Sequence, residues 1–157
     1  MNWEWKDARQ ALRDGSRSGK IAGSAVLAAV ALAGQLENRD AIAPINAISH
    51  AMWGEEAFEQ KSLSLKYTGA ALLIHDSAMV SWGAIFQLLF GRKADRGEIG
   101  PTLGGATLVS LLAYVVDYKL APPRLRPGIE HHLSNRSLFV VYVVLAVALA
   151  LGSLKKR

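Results

Sequence analysis

Cysteine is absent from the 157 residues, which excludes disulfide frameworks, thiolate metal sites, a cysteine nucleophile and covalently attached c-type haem. Metal chemistry in this chain has to use His, carboxylate or Tyr side chains. Also missing are paired ligands on one helix face: no His-x-x-x-His, Glu-x-x-His or His-Glu-x-x-His spacing occurs. There is no internal repeat, low-complexity run or flexible linker. Gly100-Pro101-Thr102-Leu103-Gly104-Gly105 lacks the Lys and the preceding strand of a phosphate-binding loop, so Gly100 and Gly104 are expected to permit close helix packing instead. Charge is scarce as well, at 20% of residues against 51% apolar, and it clusters between long apolar stretches rather than alternating with them at helical spacing.

Those apolar stretches dominate what is present. Four of them approach the ~20 residues needed to cross hydrocarbon, at 21–36, 67–90, 101–121 and 138–154. The expected architecture is all-α, a four-helix bundle integral to a membrane, with residues 1–157 as a single membrane domain. The first span, at 16 residues, is short, about 24 Å at the helical rise, and needs Lys20 and Gln35 at the interfaces. Ala31-Leu32-Ala33 resembles a signal-peptide cleavage site, but the preceding region carries Glu4, Asp7 and Asp14, so the segment is expected to be retained. Pro101 suits a first helical turn, and Pro122 with Pro123 stops the third helix.

Eighteen Lys and Arg against thirteen Asp and Glu give a net charge of +5. The basic residues are mostly a topology signal. With the N-terminus inside, eleven fall on the cytoplasmic side against seven outside: Arg39, Lys61, Lys66, Lys119, Arg124, Arg126 and Arg136. That split places both termini in the cytoplasm. No basic patch with interleaved aromatics lies outside the membrane-flanking segments, so no nucleic-acid partner is expected. The N-terminal segment reads as an amphipathic helix in the membrane plane, anchored by Trp3, Trp5, Lys6, Arg9 and Arg13. In the first outer loop, Pro44 to Gly54 has apolar residues at Ile45, Ile48 and Met52 and reads as a short helix on the outer leaflet, ended by Gly54.

His75 and Asp76 lie within the second span, where an ionisable group costs on the order of 2.5–3.5 kcal/mol and normally faces a bundle interior. Asp76 shares a helical stripe with Thr68, Gly69, Leu72, Val80, Gly83 and Gln87, which is expected to face protein, while His75 aligns with Met79, Trp82 and Phe86. On the third helix Ser110, Tyr114 and Asp117 form a polar face, with Tyr114 at the depth of His75 and Asp76. Asp117, nearer the interface, is expected to pair with Arg124 or Arg126. The polar site read from the sequence is therefore His75, Asp76, Tyr114 and Asp117. All four histidines, His50, His75, His131 and His132, fall in the outer half, and imidazoles from separate segments are candidate ligands for a transition metal or a b-type haem.

Asn46-Ala47-Ile48-Ser49-His50-Ala51-Met52-Trp53-Gly54, Ile74-His75-Asp76-Ser77 and Val116-Asp117-Tyr118 together resemble small four-span inner-membrane proteins of bacteria. The resemblance implies a multi-pass protein of the bacterial inner membrane and implies no substrate, cofactor or catalytic role. The functional expectation is a noncatalytic membrane protein, an accessory subunit that partners the lipid bilayer and other membrane subunits or further copies of itself. The alternative is a metal- or haem-binding protein that handles electrons or protons.

Overall fold

The computed structural model describes residues 5–154, with side chains from Arg9 onward, and contains helices and turns but no strand among these residues. Four long helices, α1 (Trp5–Asn38), α4 (Ala70–Asp95), α5 (Ile99–Val115) and α6 (Asn135–Ser153), form the bundle, and short helices α2 (Ala43–Ala47) and α3 (His50–Trp53) lie in the first long connection. Counting the turns that extend them, four helices are long and apolar enough to cross a membrane: Arg9–Asn38, Leu65–Asp95, Ile99–Leu120 and Asn135–Ser153. Helix α1 packs against α4 and α6, and α5 closes the ring between α6 and α4. Both connections longer than a turn lie at one end, the loop end; the short turn after α4 and the two described chain ends lie at the other, where Asp14, Arg17, Asp95 and Ser153 converge.

The first helix departs from expectation. Residues 5–38 form one helix without a break, so the N-terminal segment is not a separate in-plane element. Glycine spacing accounts for this. Gly15, Gly19 and Gly23 recur every four residues along one face and let the backbones of α1 and α4 meet. A Cβ on Gly15 would stand 2.5 Å from Ala84 Cα, and Cβ atoms on Gly19 and Gly83 would strike the backbones of Met79 and Gly15. Tight α1–α4 contact thus begins well before the expected start of the span. Gly100 and Gly104, in contrast, have open space around them, so the close approach expected there is absent; on α5 it is Gly105 that is covered, by the Phe90 ring. Of the expected anchors, Arg9 and Arg13 are exposed, and Trp3 together with the Trp5 and Lys6 side chains lies outside the described residues.

Polar ties hold the loop end shut. Asp40 Oδ1 accepts from the N–H groups of Ile42 and Ala43, both at 2.9 Å, and starts α2. Asn46 is fully buried: its amide donates to the carbonyls of Gln60 and Ser62, and its Oδ1 accepts from Thr68 Oγ1 at 2.7 Å, fastening the loop to the head of α4. At the head of α6, Glu37 accepts from Ser134 N at 2.8 Å and from the Ser134 and Ser137 hydroxyls, placing a carboxylate at a helix N-terminus. Lys66 pairs with Glu56 at 2.8 Å and sits over the Trp53 and Tyr67 rings, and its ammonium holds the Glu56 carboxyl below the usual range. Arg124 donates to the carbonyl of Ala51 and so joins the second connection to the first.

Candidate functional site

Helical geometry separates the two ionisable neighbours of α4. Successive residues on a 3.6-residue turn point about 100° apart. His75 turns inward, 7% exposed, and its Nε2 donates to the carbonyl of Gly23 at 3.0 Å. Gly23 is what admits the ring, since a Cβ there would stand 3.2 Å from Nε2. Asp76 consequently faces away from the bundle, exposed and without a hydrogen-bond partner among the described residues. Its stripe is covered at the loop end, where Thr68 bonds to Asn46, and farther down, where Gly83 meets Gly15, but is open at Leu72 and Asp76. Leu73, Ser77 and Ser81 share the outward face, and both serine hydroxyls are spent on carbonyls of their own helix.

Asp117 sits in a π turn, Val116–Leu120, that extends α5. Its partner is neither Arg124 nor Arg126. Oδ2 accepts from the Tyr142 hydroxyl at 2.6 Å, whereas Arg124 is committed to the first connection. Ser110 joins the same helix pair by donating to the Tyr142 carbonyl at 2.6 Å. Tyr114 meets the Tyr142 ring edge-on at 5.4 Å but lies on the outer surface, 40% exposed. Of the four residues read as one polar site, the structure brings His75 and Asp117 to a common cavity and leaves Asp76 and Tyr114 outside it.

That cavity, about 160 Å³, lies inside the loop end between α1, α4 and α6 and beneath the second connection. Val26, Val30, Ile74, Met79, Trp82 and Leu145 make its walls apolar; His75, Asp117, Arg126 and Tyr142 are its polar members. Two lining residues are also exposed, Ala78 in the α4 wall and Leu125 in the second connection. Arg126 is half-buried, with Nε sealed from solvent and unpartnered. Tyr118 Oη and Glu130 Oε2, close to the Asp117–Tyr142 pair, are sealed too and lie near one another without a well-formed hydrogen bond. Polar atoms in that state are rare in folded proteins and mark places where water or a ligand completes the bonding.

The histidines do not converge. His50 Nδ1 lies 2.9 Å from the Ala47 carbonyl and Nε2 lies 3.3 Å from the Pro123 carbonyl, so backbone oxygens meet both nitrogens. Gly128, at φ 82°, passes directly over this ring, and a Cβ there would stand 2.7 Å from Nδ1. His131 is stacked on Phe58 at 3.9 Å, while His132 is half-buried with Nε2 sealed and unpartnered. No three His, Cys, Asp or Glu side chains gather into a metal-holding group among the described residues.

Tyr142 escaped the sequence reading, and Arg126 entered it only as an ion-pair partner for Asp117, not as a cavity residue. Tyr142 had a signal, as one of only two polar side chains between Leu138 and Ser153, the other being Ser153. Arg126 had none, because its place over the cavity depends on the path of the second connection. Comparison with family models, with curated proteins and with solved structures finds no match to this chain.

Proposed function

We propose that this chain is a noncatalytic accessory subunit of a multi-pass complex in the bacterial inner membrane, with both termini in the cytoplasm and α2 and α3 on the outer leaflet. Asp76 carries the reading. It stands about 16 Å along the second span from Leu65, at 1.5 Å per residue, and faces out of the bundle. Carboxylates at such depth face protein or water and have partners, because hydrocarbon does not solvate them. Nothing in the single bundle covers this one, so a neighbouring membrane subunit does, offering a donor or a cation to Asp76 beside the small Ser77 and Ser81. The alternative metal or haem role receives no support from the geometry of the four histidines.

The test is the size of the complex in gently solubilised native membranes. The wild-type chain is expected to migrate well above the mass of one chain in its micelle, and Asp76→Leu to release it to that size while retaining helical circular dichroism. A wild-type chain already at monomer size in such extracts would refute the reading, as would an Asp76→Leu variant that stays in the large species.

A further inference from the structure

The loop-end cavity has a chemistry independent of the Asp76 face. Its two charged members carry opposite sign and do not bond to each other: Asp117 Oδ2 is taken by Tyr142, Oδ1 has no protein donor, and the guanidinium of Arg126, a lining residue, has no acceptor among the described residues. One free acceptor and one free donor therefore border the same apolar chamber. A carboxylate or phosphate head would satisfy Arg126 but be repelled by Asp117 and by Glu130 behind it. An ammonium head would reverse the problem. A hydroxyl satisfies both, accepting from the guanidinium and donating to the carboxylate. Size narrows the ligand further: about 160 Å³ is close to the apolar cavity volume known to admit a benzene ring, room for one ring or a short run of methylenes and not for two acyl chains. Ala78 lies in the wall of a candidate membrane helix and Leu125 in the second connection, so the chamber has exposed lining both at the side of the bundle and at the loop end.

We propose that this cavity binds a single-chain neutral amphiphile with a hydroxyl head, the hydroxyl bridging Arg126 and Asp117 and the apolar part lying among Val26, Val30, Met79 and Trp82. Trp82 lines the chamber and reports occupancy. The protein is placed in phosphatidylcholine nanodiscs and titrated with 6-bromohexanol, whose bromine quenches nearby indole emission, alongside 6-bromohexanoate and 6-bromohexylamine. A brominated alkylphenol is the fourth probe, and the tighter of phenol and alkanol identifies a ring or an aliphatic chain as the enclosed group.

Saturable quenching by the alcohol is expected, with both charged analogues binding about tenfold or more weakly. Arg126→Gln and Asp117→Asn are each expected to weaken alcohol binding by a similar factor. Ala78→Phe, a change in an exposed wall residue that leaves both polar groups in place, is expected to abolish saturation and so provides a check if either polar variant fails to fold. Linear, unsaturable quenching in the wild-type protein would overturn the proposal. So would saturation that persists unchanged in Ala78→Phe, or a carboxylate that binds as tightly as the alcohol.

Discussion

At the scale of single residues, the loop end is organised by short bonds between helices rather than by ion pairs. Tyr142 is the pivot: its hydroxyl donates to Asp117, its carbonyl accepts from Ser110, and its ring meets Tyr114 and Tyr118. Tyr142→Phe removes the donor and leaves the carboxylate without it. Bonds between helices in membranes are worth roughly 0.6–1.7 kcal/mol. The variant is therefore expected to unfold at lower denaturant in mixed micelles by an amount in that range, whereas Tyr114→Phe, which alters a hydroxyl with no bond in the structure, should match the wild type. Equal losses from the two variants would show that the Asp117 bond has no special weight. Asp117 as a polar residue near the loop end was legible from its place on an apolar helix. Its partner was not, because a π turn re-aims the side chain and because Arg124, the nearer cation in sequence, is drawn across to the Ala51 carbonyl.

At the scale of elements, three of the helices long and apolar enough to cross a membrane begin and end within five residues of the apolar runs 67–90, 101–121 and 138–154. The first span is the exception. Its apolar run of 21–36 understates a helix that extends to Trp5, because glycine contact and not hydropathy decides where α1 joins the bundle. The four-residue spacing of Gly15, Gly19 and Gly23 was visible in the sequence, yet it lies partly among charged residues that suggest an interface. Gly100 and Gly104 carry the same spacing with nothing against them. The spacing alone thus fails to specify contact; a facing small residue, here Gly83, completes it. Gly19→Leu must force α1 off the Met79 backbone and is expected to abolish the monodisperse folded species on size-exclusion chromatography in detergent. Gly104→Ala, which meets open space, should elute like the wild type with an unchanged or slightly higher melting temperature. A well-behaved Gly19→Leu would mean that α1 and α4 do not meet as described.

At the scale of the whole molecule, the outer surface is that of a lipid-facing bundle with one discordant feature. Leu73, Leu111, Phe139 and Leu151 are 72%, 59%, 70% and 65% exposed, an apolar coat that water would not tolerate and hydrocarbon does. Asp76 interrupts it. The inside-out placement of this side chain was not legible from the stripe it shares with Gly83, because α4 turns His75 toward Gly23 and covers the stripe only to either side of Asp76, at Thr68 and at Gly83. The proposed subunit contact requires another membrane chain to cover this face. A spin label on Cys introduced at Ser77, in a protein with no other cysteine, reads that cover directly in native membranes. The account predicts an immobile label shielded from both dissolved oxygen and a water-soluble nickel relaxant, against a mobile, oxygen-accessible label at Leu111. A label at residue 77 as mobile and oxygen-accessible as the one at 111, or one readily reached by nickel, would contradict it.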